Sequence, residues 1–227
     1  MKKMVALLLA AVMCLSLAAC GSNEHTDVPQ ENETQAQATK DELLAQAKEV
    51  DANDINNACY ENLVKAKSDY CNQTLQLTGM IKTFVDNYVE LTGVNAAKYL
   101  VDVYLPEEEL LKLKSGQSIV VVGQTTDEIK KETVNIAGMP WDTNHLQMPV
   151  AYLVKDTFEF TGVLKGPNTS NAPAFNIEIG KSNYWMLIYF ADGVDTSTLE
   201  RDQKITFSAK AIYENPSWHY YDAQIIG

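Results

Sequence analysis

Arginine is almost absent from this chain: Arg201 is the only one in 227 residues. Histidine is nearly as scarce, at His25, His145 and His219. Lysine does not make up the deficit, since 18 basic residues face 30 acidic ones and the formal net charge is −12 at pH 7. Nucleic-acid binders neutralise phosphates with clustered Lys and Arg. Here no such cluster exists and the long-range field repels a polyanion, which argues against nucleic acid as a partner. An apolar run of about 20 residues, the length that crosses a bilayer, is also missing. There is no Gly-x-Ser-x-Gly, no His-Glu-x-x-His, no phosphate-cradling glycine loop and no Ca²⁺-loop pattern. Without a nucleophile–base constellation or a ligand set, the sequence assigns no catalytic residue, no metal and no cofactor, and reads as that of a non-enzyme.

What is present begins at the N-terminus. Lys2 and Lys3 precede an apolar stretch, Met4 to Leu17, interrupted only by Ser16. That is too short for a comfortable membrane span and suits a signal h-region. Leu17-Ala18-Ala19-Cys20 follows and resembles the lipobox of bacterial lipoproteins, in which small residues fit the peptidase and the thiol accepts diacylglycerol. Residues 1–19 are therefore expected to be a lipoprotein signal peptide, and Cys20 the lipidated first residue of the mature chain. Two acyl chains suffice for stable anchoring, which makes the lipid bilayer the first expected partner. The expected location is the extracytoplasmic face of the cell membrane. Loss of Lys2 and Lys3 with the signal takes the formal charge from −12 to −14. Residues 20–39, rich in Ser, Asn, Glu, Gln and Thr, cannot bury enough surface to order themselves. They read as a disordered tether that spans roughly 25 Å.

Of four cysteines, Cys14 leaves with the signal and Cys20 is lipidated. Cys59 and Cys71 remain, either as a disulfide, as an exported pair suggests, or as buried free thiols. No CxxC motif accompanies them. Cys59 sits with Ile55, Leu63 and Ala66 at helical spacing, and Leu43, Leu44, Ala47 and Val50 give an earlier helical pattern. Between the two, Val50 to Asp54 reads as a break with a new N-cap at Asn53 or Asp54.

After Tyr70 the period changes to that of strands, and the chain repeats itself. Leu75-Gln76-Leu77-Thr78-Gly79-Met80-Ile81-Lys82 returns as Phe158-Glu159-Phe160-Thr161-Gly162-Val163-Leu164-Lys165. Asp102-Val103-Tyr104-Leu105 is answered by Leu187-Ile188-Tyr189-Phe190, and Gly116-Gln117-Ser118-Ile119 by Asp202-Gln203-Lys204-Ile205. Pro149 to Val154 parallels Tyr221 to Ile226. The order is the same throughout, which predicts two copies of one β-domain. In the first copy strands fall near 72–84, 86–93, 98–105, 118–125 and 148–155, with a short helix, Glu107 to Leu113, after Pro106. In the second they fall near 157–166, 174–181, 184–190, 203–214 and 217–226. Gly79 and Gly162 would let the long first strand bend so that it serves two sides of a small barrel. The expected fold class is mainly β: two tandem five-stranded OB-fold-like barrels, residues 40–155 with a leading helical segment and residues 156–227.

The leading helix, the Thr-Gly in the first strand and the block Leu113-Lys114-Ser115-Gly116-Gln117-Ser118-Ile119-Val120-Val121-Val122-Gly123 together resemble the tRNA anticodon-binding-like OB-fold family of exported bacterial proteins. The resemblance is best over Asp41 to Val154. The second copy departs from it, with Asp202 in place of Gly116 and Ala209 in place of Gly123. The family name implies descent from a tRNA-binding fold, whereas the export signal and acidic charge argue against that ligand here.

Several residues have side chains capable of chemistry. His145, three residues after Asp142, supplies half a metal site at most and reads as a solvated histidine in a long loop, Thr125 to Gln147. Glu107-Glu108-Glu109 read as acids favouring the positive end of a short helix. The aromatic segment Tyr184 to Phe190 would alternate, sending Trp185, Leu187 and Tyr189 to one face and Tyr184, Met186, Ile188 and Phe190 to the other. The last strand adds Trp218-His219-Tyr220-Tyr221. These rings are either packing or a ligand face, and the ligand reading selects Trp185, Tyr189, Trp218 and Tyr220. Trp141 carries the same two readings. The expected function is a membrane-tethered extracytoplasmic binding module for an envelope protein, peptide or glycan. The alternative is a structural or assembly subunit of an envelope complex.

Overall fold

The computed structural model describes residues 38–226 apart from 94–97, 171–172 and 181–184. The signal, Cys20, His25 and Tyr184 lie outside the described residues. No helix among the described residues is long and apolar enough to cross a membrane.

Thr39, the last residue of the expected tether, caps the first helix. Its hydroxyl accepts from the Glu42 N–H, and the Glu42 carboxylate accepts from the Thr39 N–H at 2.8 Å, a capping box at the head of α1 (Lys40–Leu44). The helical pattern through Val50 is not followed. Lys48–Asp51 instead forms a strand, β1, which pairs in parallel with Leu75–Thr78 and buries Val50. Spacing alone could not reveal this, because the partner strand lies far along the chain. The cap of the next helix is Asp51 rather than Asn53 or Asp54: its carboxylate accepts from the Asn53 N–H at 2.8 Å. Helix α2 (Ala52–Glu61) runs into α3 (Leu63–Tyr70) at Asn62, whose side-chain oxygen accepts from the Val64 and Lys65 N–H groups. Ala52, Ile55, Asn56, Cys59, Ala66 and Tyr70 are their buried positions.

The first sheet follows as β2 (Thr74–Val85), β3 (Tyr88–Thr92), β4 (Tyr99–Val103), α4 (Glu107–Leu110), β5 (Ser118–Gln124), β6 (Ile129–Ile136), β7 (Met139–Met148) and β8 (Val150–Lys155). Its path is β6-β7-β4-β3-β2-β5-β8, with β1 beside β2. The expected loop from Thr125 to Gln147 is thus a hairpin, β6–β7, closed by Ala137 and Gly138, both at positive φ (50° and 82°). That is the backbone of a two-residue turn whose twist matches the flanking strands. Only Pro149 separates β7 from β8. β7 pairs in parallel with β4 and β8 pairs antiparallel with β5.

The remaining chain forms β9 (Phe158–Pro167), β10 (Phe175–Ile179), β11 (Met186–Phe190), β12 (Lys204–Glu214) and β13 (Ser217–Ile225), closed as a barrel in the order β10-β11-β13-β12-β9. β13 makes the same two partnerships that β7 and β8 divide between them, parallel to β11 and antiparallel to β12.

Local geometry repeats with the sequence. β2 pairs with β5 up to Met80 and with β3 from Met80 onward, and β9 changes from β12 to β10 around Gly162 and Val163. The partner switch falls at Gly162 in β9 and one residue after Gly79 in β2, and a Cβ on Gly79 would press on Leu91 and Ala52, and one on Gly162 on Ile177. At the entrance to β5, the Gly116 N–H donates to Ile81 O at 2.7 Å and the Ile81 N–H to Gln117 O at 2.9 Å. At the entrance to β12, the Asp202 N–H donates to Leu164 O at 2.7 Å and the Leu164 N–H to Gln203 O at 2.9 Å. Gln117 and Gln203 each turn a side-chain oxygen back onto the N–H three residues earlier, Lys114 and Glu200.

Two cores result. Leu75, Leu77, Ile81, Leu91, Ile119 and Val121 centre the first, roofed by α2 and α3; Leu164, Ile177, Ile188, Phe207 and Tyr220 centre the second. Each fully buried large side chain contributes about 1.5–3 kcal/mol relative to exposure. The cores meet at a short β-bridge, Gln117 to Ile212, where the Tyr213 N–H donates to Gly116 O at 2.8 Å. Gly116 has φ +81°, and any Cβ there would collide with the Tyr213 carbonyl. Glycine is required at that point on both counts.

Candidate functional site

The two sheets carry different outer faces. On the first, alternation sends Val89, Leu91, Val101 and Val103 to the core and Tyr88, Glu90, Asp102 and Tyr104 outward. The hairpin extends this outer face, because β7 lies beside β4 with Leu100 opposite His145. Asp102 and His145 are nevertheless buried, at 2% and 3% exposure. His145 is therefore not the solvated loop residue expected: extension of β7 alongside β4 draws it against the sheet. Its Nδ1 lies 2.8 Å from Asp102 Oδ1, and its Nε2 lies 3.0 Å from Thr143 Oγ1. Glu132 Oε2 stands 3.9 Å from the same Nε2. Glu90 completes the group, with ligand-type atoms of Glu90, Asp102 and His145 all within 4.8 Å of one another.

The electrostatics of this face follow from crowding carboxylates around one imidazole. Burial works against a charged ring, but the Asp102 hydrogen bond and charge, aided by Glu132 and Glu90, overcome it and raise the His145 pKa. Burial raises the Glu90 pKa, with Asp102 and Glu132 adding to it against the opposing Lys82 and His145. Tyr88, whose ring lies tilted against that of Tyr104 with centroids 4.8 Å apart, is pushed up to about 12 by burial and by Asp102.

Asp102, His145 and Thr143 reproduce the hydrogen-bond chain of a nucleophilic triad. The resemblance ends at access: Thr143 is 6% exposed, so its hydroxyl cannot meet a substrate carbonyl without opening the hairpin. What the arrangement offers chemically is a set of oxygen and nitrogen donors around one point. The strand signal for it was legible in part, since Lys131 to Ile136 is rich in β-formers and Gly138 marks a turn. Nothing in the sequence aligned β7 with β4.

On the second barrel the ligand-face selection divides. β11 sends Met186, Ile188 and Phe190 inward, as the alternation predicted, and Tyr189 outward. Tyr189 stacks on Tyr221, with centroids 4.6 Å apart and planes 4° from parallel, while Trp185 stands exposed just before the strand. On β13 it is His219 and Tyr221 that join Tyr189. Trp218 and Tyr220 face the other way. Tyr220 is 5% exposed and held edge-on to Phe160 and Phe207, so it cannot belong to an open face. The four selected residues therefore do not form one surface. Trp218 and Tyr220 instead line a cavity of about 320 Å³ with Phe158, Phe160, Thr78 and Ser118, at the place where the two sheets meet.

Trp141 is half exposed on β7 opposite Val134. Glu107, Glu108 and Glu109 occupy the first turn of α4, and Glu109 also accepts from the Leu153 N–H at 3.0 Å. Cys59 and Cys71 are both buried free thiols. Burial, and secondarily Cys71, pushes the Cys59 thiol up to about 11.

A closed five-stranded barrel whose long first strand changes partner at a glycine defines the OB-fold class. A family model, tRNA_anti-like, matches residues 1–136, and the chain belongs to that family. The match ends at the tip of the β6–β7 hairpin, so it spans Glu90 and Asp102 but stops short of His145. No curated protein matches the chain.

Proposed function

We propose that this protein is a lipid-anchored extracytoplasmic binding module of two OB-fold barrels in tandem, held to the membrane through Cys20. The reading assigns it no catalytic step. The paired hydrogen bonds at Gly116 and Asp202, and the same parallel-plus-antiparallel pairing of the last strands in both sheets, support duplication of one barrel. Two acyl chains on Cys20 followed by a polar tether support the anchored setting.

The observation that carries the binding role is the cavity between the sheets. Its volume of about 320 Å³ falls at the small end of ligand pockets, and its walls are mostly aromatic, with the hydroxyls of Thr78 and Ser118 at one side. Such a site suits an apolar side chain of a protein or peptide partner rather than a sugar, which needs an open ring face flanked by hydrogen-bond donors. A pull-down from the producing cell's envelope fraction tests this. The full chain should retain a discrete partner that Trp218→Ala loses and Trp185→Ala keeps, because only Trp218 lines the cavity. Equal retention by both variants would remove the cavity from the reading, and loss of retention after deglycosylation of the extract would replace the peptide with a glycan. Anchoring is tested by labelled fatty acid, whose incorporation should vanish in Cys20→Ala.

A second reading, an assembly subunit of an envelope complex, draws on the Gln117–Ile212 bridge, which fastens the two sheets as a spacer would be fastened. A stable stoichiometric complex that survives Trp218→Ala would favour it.

A further inference from the structure

We propose that Glu90, Asp102 and His145, on the outer face of the first sheet, form a binding site for a divalent transition-metal cation of the zinc type. One imidazole and two carboxylates are a donor set that zinc accepts, leaving a fourth position for water or a ligand group. The three donor atoms lie within 4.8 Å of one another. Ligands about 2.0–2.2 Å from a tetrahedral zinc stand roughly 3.3–3.6 Å apart. The 2.8 Å Nδ1–Asp102 contact must therefore open slightly and the longer separations close. Side-chain rotation of Glu90, the one partly exposed member, supplies most of that movement.

Two further features set this cluster apart from a chance group of acids. Asp102 and His145 are both more than nine-tenths buried, so the sheet itself fixes their positions. The second nitrogen of the ring is already engaged: Nε2 lies 3.0 Å from Thr143 Oγ1. A metal-bound histidine almost always donates its other N–H to such a partner, which fixes the tautomer and ring angle. With Nδ1 on the metal, Nε2–H donates to Thr143. The charge balance points the same way. Glu90, Asp102 and Glu132 surround a single imidazole, and this local excess of negative charge is relieved by a cation.

The test uses the full chain in detergent, stripped with chelator and titrated with Zn²⁺ by calorimetry, with Co²⁺ as a spectroscopic probe. One equivalent should bind, and the Co²⁺ form should show ligand-field absorption of a four-coordinate N/O site. Glu90→Gln and His145→Gln should each abolish that spectrum. Glu90 is partly exposed, so its variant separates loss of metal from loss of fold, checked by an unchanged circular dichroism spectrum. Thr143→Val keeps all three ligands and should weaken binding by about 10–100-fold, the usual effect of removing an outer-shell partner. Glu132→Gln, whose carboxylate faces the other ring nitrogen, should leave the stoichiometry at one. Absence of binding at micromolar free zinc, or an equal response from wild type and Glu90→Gln, would overturn the site.

Discussion

The first sheet and the second barrel are built on the same connections, yet their outer faces have opposite characters. Where the first places Asp102 on β4, the second places Leu187 at the matching position of β11. Where the first extends its face with the β6–β7 hairpin and buries Asp102 and His145, the second has no insertion between β12 and β13 and leaves Tyr189 stacked on Tyr221 with His219 tilted beside them, all three half-buried. The inward residues are apolar in both. Each core is set by alternation, while the chemistry of the face is set by what the connection between the last two strands is made to do.

The hardest way to break the comparison is to remove one core and leave the other. Phe207 is fully buried against Phe160 and Tyr220. Phe207→Ala should cost about 3–5 kcal/mol. In a denaturant titration followed by resolved indole signals, Trp185 and Trp218 should then report loss of structure at lower denaturant than Trp141. Coincident transitions for all three rings would show that the two cores fold only together.

A smaller effect should come from the seam. Gly116→Ala forces a residue with φ +81° to accept a side chain that collides with Tyr213. Such backbone strain costs of order 1–3 kcal/mol, and the seam's hydrogen bond is worth about 1 kcal/mol more. Asp202, at the matching position, already holds φ +65° with a side chain. Asp202→Ala should therefore change thermal stability much less than Gly116→Ala, and a similar loss in both would refute a special role for the seam.

The gentlest probe is alkali. Burial raises Cys59 from 9.0 to about 11, and Tyr220 in the other core from 10.0 to about 12. Both groups are held neutral by the fold, so the stability they lend is complete below the ordinary values and falls as pH rises through the raised ones. Alkylation of Cys59 in the native protein at pH 8 should be slow beside that of a free thiol. Unfolding measured between pH 9 and 12 should become progressively easier. Rapid native-state alkylation would mean that α2 opens readily.

Much of the fold could be read from the sequence because alternation and glycine placement are local signals. The five strands expected in each half, the switch glycines Gly79 and Gly162 and the family were legible that way, whereas β6 and β7 lie where a loop was expected. β1 was not, since Lys48–Asp51 is extended only by virtue of pairing with Leu75–Thr78. The candidate cation site was hidden for the same reason. The antiparallel register of β3 with β4 sets Glu90 opposite Asp102, and only the parallel register of β4 with β7, far along the chain, brings His145 to them within 4.8 Å. The aromatic face was half legible: alternation separated Tyr189 from Ile188 correctly, but nothing local told which side of β13 turned inward.

The pleat of β7 sets a parity rule on how this chain can diverge. His145 faces out and Leu146 faces the core, so the stretch from His145 to Pro149 is counted in pairs. Loss of one residue there would exchange the two side chains, placing an imidazole among the aliphatics of the core and a leucine beside Asp102. At the tip around Ala137 and Gly138 no such count applies, because residues can be added in matched pairs without moving β7 against β4. Length variation among descendants of this chain should therefore gather at the tip and spare the root.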